Sequence, residues 1–83
     1  MTEKQIGTVK HYFDKLGVAV LSLTDDLSVG DRIRIESELM FAQEVTSMQI
    51  DHKDIQQAKA GDDIGLKTKK VCASGDKVVK IEF

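Results

Sequence analysis

The sequence contains no proline and no tryptophan, and its aromatic side chains are limited to three phenylalanines and one tyrosine. Aliphatic side chains must therefore supply most of the core. Cys72 is the single cysteine, which excludes an intramolecular disulfide in this chain of 83 residues. Because proline is absent, the strand edges of a β protein would have to be protected by closure, bulges or charged residues.

Long apolar runs are missing as well. The first ten residues, MTEKQIGTVK, lack the apolar segment of a signal peptide, and no run approaches the roughly 20 residues of a membrane-spanning helix. The net charge of −2 is unlike that of a dedicated DNA-coating protein. These features predict one small cytoplasmic domain, residues 1–83, with no membrane partner.

The apolar residues that are present recur with a period of two, which is typical of β-strands. In 32–36, RIRIE, the two isoleucines face one way and the charged residues the other. The segment 18–23, VAVLSL, is denser in apolar residues, which predicts a strand that is well covered. In 6–13, IGTVKHYF, alternation places Val9, His11 and Phe13 on one face.

Three further segments complete the predicted strands and their connections. In 78–83 the alternation predicts that Val79 faces inward and Lys80 outward. Between residues 41 and 50 the alternation changes phase, which a β-bulge near residues 46–47 would explain better than a helix. The polar segment 51–60 predicts a single helical turn that places Ile55 on the core. Six short strands joined by tight turns predict an all-β fold, a small six-stranded closed antiparallel β-barrel.

Three Gly-Asp pairs punctuate the chain, at residues 30–31, 61–62 and 75–76, and each precedes a strand. Glycine permits turns with a positive φ, so we expect Gly61 to lie in such a turn. Gly65 is expected to let another backbone pass close by.

These motifs, taken in order, resemble the β-barrel second domain of translation GTPases such as elongation factor Tu and bacterial initiation factor two. The residues that carry the resemblance are Gly7-Thr8-Val9, Leu27 to Asp31, Ala58 to Gly65, and Gly75-Asp76. Short stand-alone proteins described as translation elongation factor-like are similar, and a similar barrel is also found fused to collagenase-like peptidases. The resemblance implies a barrel of the translation-factor second-domain type and an RNA or ribonucleoprotein partner. The chain has no GxxxxGK[ST] loop, so neither GTP nor another cofactor is predicted.

A basic stripe on the closed barrel is the candidate nucleic-acid-binding site, because lysines and aromatic rings together bind single-stranded nucleic acid. Between residues 59 and 80 six lysines accompany three aspartates. A solvated polar strand face is the alternative explanation of the same lysines. The candidate residues are Lys10, Tyr12, Lys67, Lys69, Lys70 and Lys80.

Other residues that could take part in catalysis or metal binding have simpler explanations. His52, near Asp51 and Asp54, could act as a general base, but polar loop positions commonly have this composition. Cys72 could be a nucleophile, although no Cys-His signature accompanies it. The aspartate pairs at 25–26 and 62–63 could hold a cation, but aspartates also accept backbone hydrogen bonds in turns. No catalytic or metal site is predicted.

The predicted function is a non-enzymatic, translation elongation factor-like binding module that contacts tRNA, the ribosome or another ribonucleoprotein particle. The alternative is a protein-interaction subunit or accessory domain that docks onto a larger enzyme such as a collagenase-like peptidase. The sequence leaves the oligomeric state open.

Overall fold

The computed structural model describes residues 2–38 and 40–82. Across these residues the chain forms ten β-strands. The same residues include no helix, and so no helix that is long and apolar enough to cross a membrane. The strands, numbered β1 to β10 in chain order, are Thr2–Phe13, Val18–Leu23, Leu27–Ser28, Arg32–Glu36, Phe41–Glu44, Met48–Ile50, Lys53–Ile55, Gln57–Ala58, Asp63–Lys67 and Lys77–Glu82.

Eight of these strands form one antiparallel sheet in the order β5-β4-β10-β1-β2-β9-β6-β7, and β3 pairs with β8 in a separate ribbon. The all-β prediction is confirmed, but the closed six-stranded barrel is wrong, because the sheet is an open half-barrel. The reason lies in residues 45–47, which leave the strand conformation and carry the chain from one end of the sheet towards the other. The expected bulge is thus a crossover between β5 and β6.

The sheet curls around a single hydrophobic core. Phe41 of β5 and Met48 of β6 come from opposite parts of the sheet, yet both belong to the same buried cluster. Gln43, 4% exposed, bridges the open side of the half-barrel. Its Nε2 donates to the Lys67 carbonyl oxygen at 2.8 Å, and its Oε1 accepts from the Lys69 amide at 2.8 Å. One side chain therefore supplies a donor and an acceptor where no backbone ladder is formed.

The three Gly-Asp pairs form three turns that share the same geometry. Each glycine has a positive φ, between 94° and 100°, as the third residue of a type II turn requires. Each aspartate carboxylate accepts a hydrogen bond from the amide three residues earlier, at 2.8–3.0 Å. The glycine amide and the aspartate carbonyl then exchange hydrogen bonds with one buried residue of a neighbouring segment. Those residues are Val45, Leu23 and Val9 for the first, second and third turn.

The predicted helical turn at 51–60 is wrong, because the chain forms a hairpin there. Asp51 and His52 both have positive φ, 51° and 64°, and join β6 to β7 with Ile50 opposite Lys53. Positive φ at both loop residues is the type I′ geometry that matches the twist of paired strands. Ile55 does pack against the core, but from a strand rather than a helix.

The close backbone approach occurs at Gly7 and not at Gly65. A Cβ added to Gly7 would lie 2.5 Å from the carbonyl oxygen of Ser22 on the neighbouring strand. At Gly65 the nearest atom would be Val18 Cγ1 at 3.6 Å, an ordinary contact distance. Gly7 also follows a bulge at which the β1–β10 register shifts.

Candidate functional site

Lys80 does not lie on the outer surface, although the alternation of polar and apolar residues predicts that it does. Its neighbour Val78 pairs with Ile35, and Lys80 itself pairs with Ile33, so both face the side on which those isoleucines are buried. The Lys80 ammonium reaches the rim of the half-barrel, 3.2 Å from the carbonyl oxygen of Asp26. The prediction that Lys80 faces outward is therefore wrong, whereas Val79 is buried, as expected, at 7% exposed. A long stem that packs inside while its charge reaches water makes this arrangement possible.

Tyr12 also turns inward, at the opposite end of the half-barrel. A second bulge in β1 shifts its register with β2 between Val9 and His11. Beyond it Tyr12 pairs with buried Ala19 and packs against the core cluster, whereas His11 and Phe13 move to the outer face. The expectation that Val9, His11 and Phe13 share one face is wrong because this bulge reverses the alternation after Val9.

The other predicted lysines remain outside but do not form a single stripe. Lys10, the extra residue of the bulge, binds the Asp63 carboxylate at 2.9 Å. Lys67 lies four residues further along β9, at about 13 Å by strand geometry. Lys69 and Lys70 follow where β9 has ended, and both are exposed. Three of the six candidates, Lys67, Lys69 and Lys70, thus lie together, apart from Lys10, Tyr12 and Lys80.

The candidate nucleophile and cation ligands are held in structural contacts. Burial raises the pKa of the Cys72 thiol, and its Sγ lies 3.5 Å from the Lys70 carbonyl oxygen. Asp25 pairs with Lys4, and Asp62 accepts the turn hydrogen bond from the Lys59 amide. Within residues 2–38 and 40–82, no group of three or more His, Cys, Asp or Glu side chains could hold a metal ion.

An ion-pair network ties β1 to β4 on the outside of the sheet. The Arg34 guanidinium binds both oxygens of the Glu3 carboxylate, at 3.0 and 2.8 Å, and the Glu36 carboxylate at 3.1 Å. The hydrogen bond and charge of Arg34 lower the pKa of Glu3 below its ordinary value. Both terminal nitrogens of Arg34 are thus held by carboxylates of the sheet, which makes a structural role the simplest explanation of this residue.

The function predictions missed an apolar surface that we call the β2 outer face. It consists of His11, Phe13, Leu16, Val18 and Val20. Phe13 and Leu16 are 45% and 66% exposed, and the two valines are half-buried. The His11 ring packs edge-on against Phe13 with centroids 4.4 Å apart. The sequence contains a signal for this surface, because all four residues from 18 to 21, VAVL, are apolar, so that both faces of the strand carry apolar side chains there.

A groove of about 360 Å³ continues this surface across β9. Gly65 forms part of its floor because it has no side chain, and Leu16 and Val18 form its apolar wall. Lys67 and Gln49 line the polar side. The β2 outer face is therefore an apolar surface with a neighbouring depression rather than a flat sheet.

The rim of the β2 outer face is basic. Lys67 lines the groove, and Lys15 follows Asp14 and precedes Leu16 in the β1–β2 turn. Neither lysine has a salt-bridge partner in the part of the chain that the structure describes. An apolar centre with a charged rim is the usual anatomy of a protein-binding surface.

Comparison with known proteins finds sequence similarity to part of a protease. No family model matches it. It is 40% identical over 76 residues to an uncharacterized protease of Methanocaldococcus jannaschii. The match includes 89% of this chain but only 19% of the protease, so the chain spans about a fifth of that relative's length.

Solved structures show the same fold. Two crystal structures of the C-terminal domain of a putative U32 peptidase of Geobacillus thermoleovorans, one a selenomethionine variant, superpose with TM-scores of 0.87 and 0.85. Each is 16% identical to this chain, and the superpositions cover 95% and 90% of it and 93% and 96% of the respective domain. At this identity the likeness establishes the fold alone.

The prediction of a translation elongation factor-like protein that contacts RNA is wrong, since the sequence relative is a protease and the matching folds belong to a peptidase domain. The physical reason is visible in the turns. The Gly-Asp residues that carry the resemblance form positive-φ corners and hydrogen bonds within the half-barrel. Such residues specify a backbone shape, and one shape serves unrelated functions.

Proposed function

We propose that this chain acts as a non-catalytic accessory domain that docks onto the body of a peptidase. The observation that carries the proposal is the 40% identity to one-fifth of a protease whose remaining four-fifths lie outside the match. In that relative the matching segment is covalently attached to a much larger protein. A protein partner or host protein for this chain follows naturally from that arrangement.

The absence of a catalytic role is part of the proposal and is supported by the state of the reactive groups. Cys72 is buried and its pKa is raised, which disfavours the thiolate that a nucleophile needs. His52 occupies a tight two-residue hairpin loop whose geometry explains its position. We therefore place the peptide-cleaving groups in the partner or host. The cytoplasmic location stays a prediction.

A hybrid protease tests the proposal. This chain replaces the matching segment of the M. jannaschii protease, and the temperature at which the rest of the protease unfolds is measured by scanning calorimetry. A docked domain binds only the folded body and must raise that temperature. The control hybrid carries an unrelated β-barrel domain of similar length at the same position.

We expect the body to unfold at a higher temperature in the hybrid that carries this chain than in the control hybrid. Equal unfolding temperatures in the two hybrids would contradict the proposal, because a tethered domain without contacts stabilises nothing. The measurement is repeated after RNase treatment, and the difference in unfolding temperature between the two hybrids should persist.

A further inference from the structure

We infer that the β2 outer face is the surface through which this chain contacts the peptidase body, with its basic rim opposite carboxylates of that body. The inference rests on the proposed function and specifies where its docking occurs.

The first argument comes from β2, which carries apolar side chains on both of its faces. Ala19 and Leu21 point into the core, whereas Val18 and Val20 point outward and are half-buried. In an antiparallel sheet with one solvated face, outward positions are normally polar. A strand that is apolar on both faces is typical of a sheet covered on both sides, and here the second cover is missing.

The second argument is that the bulge in β1 enlarges this apolar surface. Without the bulge, regular alternation from buried Val9 would direct His11 and Phe13 inward. The bulge reverses the phase, so that His11 lies beside Val20 and Phe13 beside Val18 on the outer face. Bulges commonly redirect side chains at functional sites. The redirection exposes a phenylalanine, one of only three in the chain.

The third argument is charge, which selects a protein as the occupant. Lys15 and Lys67, which adjoin the apolar centre, lack salt-bridge partners in the described part of the chain. A complementary surface presents apolar side chains to the centre and the groove, and carboxylates to the rim. The rest of a covalently linked peptidase can hold such a surface in fixed register, and the relative shows this kind of linkage.

A second exposed apolar pair provides a matched control. Met40 and Val71 are 59% and 67% exposed. Val71 lines a depression of only about 140 Å³ beside Ser37 and Cys72. Neither Met40 nor Val71 belongs to a strand. Met40 and Val71 are thus about as exposed as Phe13 and Leu16, but they do not line the groove beside β2.

The experiment compares two double variants in the hybrid protease described above. Phe13→Ser with Leu16→Asp changes the β2 outer face, and Met40→Ser with Val71→Asp changes the control pair. Because all four side chains are exposed, the isolated domain should retain its fold in both variants, which circular dichroism verifies. We expect the first variant to lower the unfolding temperature of the body to that of the unrelated-barrel hybrid, and the second to leave it unchanged.

The outcomes separate the inference from the proposed function. If the unmodified chain stabilises the body but Phe13→Ser with Leu16→Asp has no effect, docking occurs elsewhere and the inference fails alone. If the unmodified chain does not stabilise the body, the proposed function fails. Sedimentation equilibrium of the isolated chain adds a third test. A dimer that the same double variant dissociates would identify a second copy of this chain as the occupant and overturn the inference.

Discussion

The substitution Gly7→Ala tests how closely β1 and β2 approach each other. The added methyl group would lie 2.5 Å from the Ser22 carbonyl oxygen, 3.2 Å from Leu23 Cα and 3.3 Å from Leu23 Cδ2. Two of these three atoms are backbone, and they belong to a strand that pairs on both sides, with β1 and with β9. The strand cannot move away without disturbing one of its two ladders.

The expected cost has two parts. Overpacking of a buried site costs about 1–3 kcal/mol, and a weakened ladder hydrogen bond adds about 1 kcal/mol. The free energy of unfolding of an 83-residue domain is about 4–12 kcal/mol. We therefore expect Gly7→Ala to remove about 2–4 kcal/mol, which corresponds to a fall in Tm of about 10–25 °C.

Gly65→Ala is the matched control, because a Cβ there meets only Val18 Cγ1 at 3.6 Å and the Gln49 carbonyl oxygen at 3.8 Å. Alanine costs less conformational entropy than glycine in a strand, so this variant should be as stable as the parent or up to about 1 kcal/mol more stable. Urea unfolding followed by circular dichroism measures both variants. Equal stabilities of the Gly7 and Gly65 variants would refute the close approach at Gly7.

Three further predictions concern single contacts. Gln43→Leu leaves a backbone donor and a backbone acceptor without their partner, and urea unfolding should show a loss of about 2–4 kcal/mol; an unchanged midpoint would contradict the bridging role. Because the pKa of Glu3 is lowered in the folded state, its contribution is present above the ordinary value of 4.5 and is lost as the pH falls through the folded pKa. Arg34→Gln should therefore flatten the acid limb of the stability curve below that pH, and a parallel curve would count against the ion pair. Cys72 should react with iodoacetamide more slowly in the folded chain than in urea, whereas faster reaction in the folded chain would restore a thiol enzyme as a candidate.

Regular strands and glycine turns were accessible from the sequence because each is specified locally. The inward isoleucines of β4 follow from strict alternation, and both are fully buried. The Gly-Asp corners follow from the need for positive φ, which glycine meets without strain. The all-β class depended on signals of this kind and was predicted correctly.

Other features depend on long-range packing, and the sequence predictions of them are wrong. The Asp51-His52 hairpin lacks the glycine that usually marks a type I′ turn, so its polar residues resembled a helical turn. Lys80 faces inward because its strand pairs with β4 in a register that polarity alone does not reveal. The bulge at Lys10 is also unmarked in the sequence, and it decides which aromatic ring of β1 is exposed.

Function was the least predictable part, for a related reason. The residues that form the turns are the most recognisable in the chain, and they specify the barrel rather than its partner. The residues of the β2 outer face are ordinary apolar residues, and they become distinctive only when the structure shows which of them lack a cover. The dense apolar character of 18–23 is visible in the sequence, but the sequence does not show which of these side chains face outward.

The most direct test of the account measures solvent access to the outward methyl groups of β2. A soluble paramagnetic probe is added to methyl-labelled samples of the isolated chain and of the hybrid protease, and relaxation of the Val18, Val20 and Val71 methyl signals is compared. The account predicts that the two β2 valines lose most of their relaxation enhancement in the hybrid protease while Val71 keeps its own. Undiminished enhancement at Val18 and Val20 would contradict it.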